Sequence, residues 1–116
     1  MANLLSKKCL PCERAVPVLS RQEALTYLEG LSEWKLSRDG KAIGADYLMK
    51  DFMSAVAFIE KIAALAEKEG HHPDLHLTGY RNLKVELSTH AIGGLSLNDF
   101  ILATKIGRLP KRLKGE

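Results

Sequence analysis

Five stretches of this 116-residue chain carry a readable alternation of apolar and polar positions. "SRQEALTYLEG" has helical spacing, with Ala24, Leu25, Leu28 and Leu31 on one stripe. Ser20 and Glu23 stand three apart, so each can satisfy a backbone N–H that the first turn leaves unpaired, and Gly30 is the expected C-terminal cap. "WKLSRDGKAIGADYL" reads as a hairpin around a tight Asp39-Gly40 turn. Trp34 and Leu36 alternate on one arm, and Ile43, Ala45 and Tyr47 on the other. The longest helical pattern is "KDFMSAVAFIEKIAALAEKEG", capped by Asp51 and stopped by Gly70. Its predicted inner face is Phe52, Ala55, Val56, Ile59, Ile62, Ala63 and Ala66. "DLHLTGYRNLKVELSTH" reads as a second hairpin turning at Gly79 to Asn82, with Leu83, Val85, Leu87 and Thr89 on one side. A last helix begins in "LSLNDFILATKIG", where Ser96 and Asp99 repeat the capping spacing. Leu97, Phe100, Ile101 and Thr104 form its expected inner face.

The predicted order is α-β-β-α-β-β-α. Two hairpins and three amphipathic helices imply an α+β fold: a four-stranded antiparallel sheet with the helices on one face. The length suits one domain. Residues 20–108 form its body, residues 1–19 read as an irregular arm broken by Pro11 and Pro17, and residues 109–116 read as a basic, solvated tail.

Composition adds mainly exclusions. The net charge of +3 comes from 17 basic and 14 acidic residues, which does not argue for nucleic acid. No run approaches the ~20 apolar residues of a membrane span. The first residues are interrupted by Lys7, Lys8, Pro11 and Glu13, so they lack a signal-peptide core. Two cysteines, Cys9 and Cys12, make no disulfide framework, and the expected location is cytoplasmic. They read as free thiols, since a redox pair belongs at a strand–helix junction.

The chemistry concentrates in "EKEGHHPDLHLTGYRNLKVELSTH", residues 67–90, which holds all four histidines. Gly70 and Pro73 place His71 and His72 at the end of the long helix. If the last two strands pair antiparallel, that end and His90 fall on the same sheet edge. Three imidazoles would then converge, beside Glu67 and Asp99 as groups able to fix tautomers. Gly93 and Gly94 would let backbone approach a flat ligand. Imidazole titrates near neutral pH, so such a group can supply both an acid and a base. A metal site is the weaker alternative: neighbouring residues in extended chain seldom reach one ion, and neither HExxH nor paired CxxC spacing occurs. His76 alternates with Leu75 and Leu77 and reads as a solvent-facing strand residue.

"EKEGHHP", followed by "STH", "GGL" and "NDFILATKI", closely resembles the pterin-4a-carbinolamine dehydratase family, and the likeness runs from about Ser20 to Ile106. Trp34 and the Asp51, Phe52, Ala55, Phe58 pattern also fit. The resemblance implies a hydro-lyase that dehydrates 4a-hydroxytetrahydropterin to quinonoid dihydropterin in tetrahydrobiopterin recycling, with no metal or organic cofactor. It puts the catalytic histidines at His71, His72 and His90, and pterin-lining or orienting residues at Glu67, Thr89 and Asp99. The leaving hydroxyl would take its proton from His72. It also implies a homodimer or homotetramer, and some animal members serve as dimerisation cofactors of a transcription factor. A regulatory module with a vestigial pocket, or action on a related pterin of molybdopterin metabolism, are the alternatives. The chain departs from the family pattern by one extra residue near Gly79, by Gly70 where some relatives have an acid, and by Ile92 where some have cysteine.

Overall fold

The structure is a computed structural model that describes residues 4–7 and 17–115. Cys9 and Cys12 lie outside the described residues. The elements follow the expected order: α1 (Arg21–Leu28), β1 (Trp34–Leu36), β2 (Ile43–Leu48), α2 (Phe52–Glu69), β3 (Asp74–Thr78), β4 (Asn82–Leu87) and α3 (Leu97–Arg108). The strands form one antiparallel sheet in the order β1-β2-β4-β3. Ile43, Ala45 and Tyr47 on β2 and Leu83, Val85 and Leu87 on β4 are buried. Their neighbours Gly44, Asp46, Lys84 and Glu86 stand on the opposite face, so only one face of the sheet is covered by helices.

All three helices begin on a side-chain cap. Ser20 and Glu23 exchange hydrogen bonds with each other's backbone N–H, at 3.1 and 2.8 Å. The same reciprocal box joins Ser96 and Asp99, and Asp51 accepts from the Ser54 N–H at 2.8 Å. Helix ends follow the sequence less closely. The C-cap of α1 is Glu29 in right-handed geometry, one residue before Gly30, and Leu25 is 45% exposed rather than part of the core stripe.

The buried line of α2 agrees with expectation at Ala55, Ile62 and Ala66 and differs elsewhere. It runs through Ala55, Phe58, Ile62, Ala66 and Glu69, while Phe52 is 50% exposed and Ala63 is exposed. Apolar residues surround much of this helix, so residues on either side of the shared Ala55, Ile62 and Ala66 line satisfy helical spacing. The ring of Phe58, packed edge-on against Tyr47 with centroids 5.2 Å apart, selects between them. The inner face of α3 is wider than predicted: Asn98, Asp99, Leu102, Ala103 and Ile106 are buried besides Phe100 and Ile101, and Leu97 and Thr104 are half-buried.

The first hairpin turns through a longer connection than a two-residue turn. Asp39 organises it by accepting from the Ser37 hydroxyl and the Lys41 N–H, with Gly40 at φ 74°. At the two ends of the chain, segments read as loose dock onto the body. Leu4–Ser6 form a turn of 3₁₀ helix that contacts α3, with Leu4 buried. Past α3, Leu113 bridges Met49, the Lys50 N–H donates to Arg112 O, and the Lys114 N–H donates to Leu48 O. Lys111 lies over the Tyr47 and Phe58 rings at 5.5 and 5.2 Å. The basic tail is thus paired backbone with exposed Arg112 and Lys114 side chains, not free chain.

Candidate functional site

Gly70 ends α2 in the left-handed conformation, φ 70°, which glycine adopts without steric cost. Its N–H and that of His71 both donate to Ala66 O, at 2.8 and 3.3 Å. From there the chain runs extended into Pro73 and β3, and successive side chains point opposite ways. His71 goes inward and is 4% exposed; His72 goes outward and is 62% exposed. The pair that looks equivalent in sequence is therefore split between the interior and the rim.

The inward ring meets a buried carboxylate. His71 Nε2 lies 2.6 Å from Asp99 Oδ1. The other oxygen, Oδ2, accepts from the Thr89 hydroxyl at 2.8 Å and from the Ser96 N–H at 3.0 Å. Thr89 and Ser96 hydroxyls are themselves 2.8 Å apart. Thr89, Ser96 and Asp99 are all essentially buried. A carboxylate accepting three hydrogen bonds at the start of α3 is also favoured by the positive end of that helix. In the tautomer that donates Nε2–H to Asp99, a neutral His71 ring carries its lone pair on Nδ1.

On the rim, His72 Nε2 lies 2.5 Å from Glu67 Oε2, both groups exposed. His90 opens a short 3₁₀ turn, His90–Ile92, and is exposed. Gly93 closes that turn at φ 68°, and Thr89 and Gly94 pair through their backbones, at 2.8 and 3.4 Å. Pairing of Asp74 with Glu86 brings the start of β3 beside the end of β4. Together these place His71, His72 and His90 around one cleft of about 210 Å³, completed by Gly70, Ser88 and Ala91. Glu67 reaches it through His72, while Thr89 and Asp99 sit behind His71 rather than in the lining. Ser88 was not singled out from sequence, and Ser96 only as a helix cap; the alternation that turns Thr89 inward is the signal that turns Ser88 toward the cleft.

The fourth histidine stands apart. His76 lies on the open face of the sheet, 2.9 Å from Glu86 Oε1 and 53% exposed, as its alternation implies. Two wider depressions, about 360 and 400 Å³, also occupy that face. Their linings include lysines and carboxylates on the solvent side of the strands, without a backing layer like Asp99, Thr89 and Ser96. The smaller cleft is the one with convergent acid–base groups. Among the described residues, no three His, Cys, Asp or Glu side chains gather as metal ligands.

Residues 17–109 match the family model for pterin 4 alpha carbinolamine dehydratase. The chain belongs to this family. It is 43% identical over 112 residues to pterin-4-alpha-carbinolamine dehydratase 2, mitochondrial, of Arabidopsis thaliana; the match covers 94% of this chain and 60% of that longer protein. A Nitrosospira multiformis relative, given the same dehydratase name provisionally, is 42% identical over 92% of both chains. Among solved structures, the Brucella melitensis transcriptional coactivator/pterin dehydratase superposes with a TM-score of 0.74 at 31% identity, covering 78% of this chain and 96% of that one.

Proposed function

We propose that this chain dehydrates a 4a-hydroxytetrahydropterin to the quinonoid dihydropterin, as a step in tetrahydrobiopterin recycling, by histidine acid–base catalysis. The reaction breaks the bond from carbon 4a to its hydroxyl. The oxygen leaves as water once it gains a proton. The neighbouring ring nitrogen forms the new double bond to carbon 4a and loses its own proton. One acid and one base along the edge of a flat substrate are sufficient, each worth roughly 10²–10⁴-fold.

The observation that carries the reading is the cleft bordered by His71, His72 and His90, with His71 held from behind by Asp99. His72, on the rim with Glu67 beside it, is the donor to the leaving hydroxyl. His71 presents its Nδ1 lone pair as base, and His90 binds the pterin edge or relays the proton. Glu67, Thr89 and Asp99 orient these groups, Glu67 doing so at the substrate's own edge. The proposed setting is the cytoplasm. Separately, no described helix is long and apolar enough to cross a membrane.

Stopped-flow absorbance of 4a-hydroxytetrahydropterin, with and without a chelator, tests this. The expected result is chelator-insensitive acceleration that falls in His71→Ala, His72→Ala and His90→Ala. A pH–rate profile unchanged in His72→Ala would overturn its assignment as donor. The dual description of the Brucella relative supports a second reading, a regulatory module on the same fold. Folded protein without turnover, but with partner binding that survives His71→Ala, would favour it.

A further inference from the structure

A second contact ties the end of α2 to α3. Lys105 Nζ on α3 lies 2.7 Å from Glu69 Oε2, the last residue of α2. The carboxylate side chain is 4% exposed and the lysine 18%. Glu69 immediately precedes the left-handed cap Gly70, and His71 immediately follows it. The partners on α3, Asp99 and Lys105, are six residues apart, about 9 Å along the axis. The reversal is therefore held on both sides: Glu69–Lys105 before the cap and His71–Asp99 after it.

A chain leaving a helix through one glycine has broad torsional freedom, and a contact on each side removes it. Stability alone is a weak reason for charges here, because a buried ion pair seldom outperforms an apolar pair of similar size. We propose that Glu69 and Lys105 are positioning residues, whose ion pair sets the exit of α2 and so aligns His71 Nε2 with Asp99. This rests on the reading of the histidine cleft as the catalytic one.

The test uses the full chain with Glu69 and Lys105 both changed to leucine, and with the two charges exchanged (Glu69→Lys with Lys105→Glu). The first readout is the ¹⁵N–¹H correlation spectrum of the histidine rings, which reports the His71 tautomer and its Nε2–H bond whether or not the protein turns over. Thermal unfolding and kcat and KM on 4a-hydroxytetrahydropterin follow. The leucine pair is expected to unfold near the wild-type temperature and lose the bonded Nε2–H signal. It should also lose up to about a hundredfold in kcat with little change in KM. The exchanged pair is expected to recover part of both. A leucine pair with the wild-type His71 spectrum overturns the proposal. Should that variant not fold, Glu69→Gln is read the same way: a perturbed His71 signal supports positioning and an unchanged one overturns it. Absence of turnover in the wild type would sink the dehydratase reading instead, and the ring spectrum would still decide this one.

Discussion

Replacing Asp99 with asparagine keeps its shape and turns one acceptor into a donor. Two of its three donors converge on one oxygen, so the amide oxygen stays with Thr89 and Ser96 and the NH₂ group faces His71. His71 must then move its hydrogen to Nδ1, the wrong nitrogen for the proposed base. Asp99→Asn is expected to lose about 1–3 kcal/mol in urea unfolding and to abolish most turnover, with the opposite His71 tautomer in the ring spectrum. His72→Ala contrasts with it. Both partners there are exposed, so stability should change by less than ~0.5 kcal/mol while kcat falls by roughly 10²–10⁴-fold. A comparable loss of stability in the two variants would contradict the split between buried and rim histidines. That split follows from simple alternation beyond Gly70, yet the composition of "HHP" does not reveal which ring turns in. Tertiary packing against Asp99, 28 residues further on, decides it.

The helix ends are the elements most exposed to test. At Gly70 an added Cβ would meet nothing within 4 Å, so Gly70→Ala suffers only its left-handed backbone, roughly 1–2 kcal/mol, measurable by thermal unfolding. The caps make a pH prediction. The Ser54 hydroxyl and N–H hold the Asp51 carboxyl below its ordinary 3.8, and the Ser20 N–H and hydroxyl hold Glu23 below 4.5. A depressed folded pKa contributes stability above the unfolded value and loses it as pH falls through the folded value. The unfolding temperature should therefore decline as pH drops below about 4.5, and less steeply in Asp51→Asn with Glu23→Gln. Equal slopes would mean that other carboxylates govern the acid limb. The N-terminal caps, strand alternation and element order were legible because each follows from local rules, whereas the expected cap at Gly30 was not observed. The buried row of α2 was legible at Ala55, Ile62 and Ala66 but not at Phe58, whose burial depends on its contact with Tyr47 across the core.

For the molecule as a whole, apolar side chains remain uncovered where β2 leads into α2. Leu48 is 42% exposed, Phe52 50% and Met53 72%. If copies of the chain assemble, as the sequence resemblance leads one to expect, these exposed apolar side chains are the ones we propose they bury. Light scattering should give a multiple of 12.8 kDa, reduced in Phe52→Asp with Met53→Lys. An unchanged mass would place the contact elsewhere. Order at the two chain ends was not legible from their charge and prolines, because Leu4 packs against α3 and Leu113 pairs with Met49 only once the body exists.

Asp99 ties Thr89 and Ser96 across the loop after β4 through Oδ2 and holds His71 through Oδ1. A library scored separately for cellular abundance and for turnover would sort the site into two classes. Changes at His72 and His90 would leave abundant, silent protein, whereas changes at Thr89, Ser96 and Asp99 would deplete both scores. A screen that read turnover alone would mistake the scaffold for the reagents.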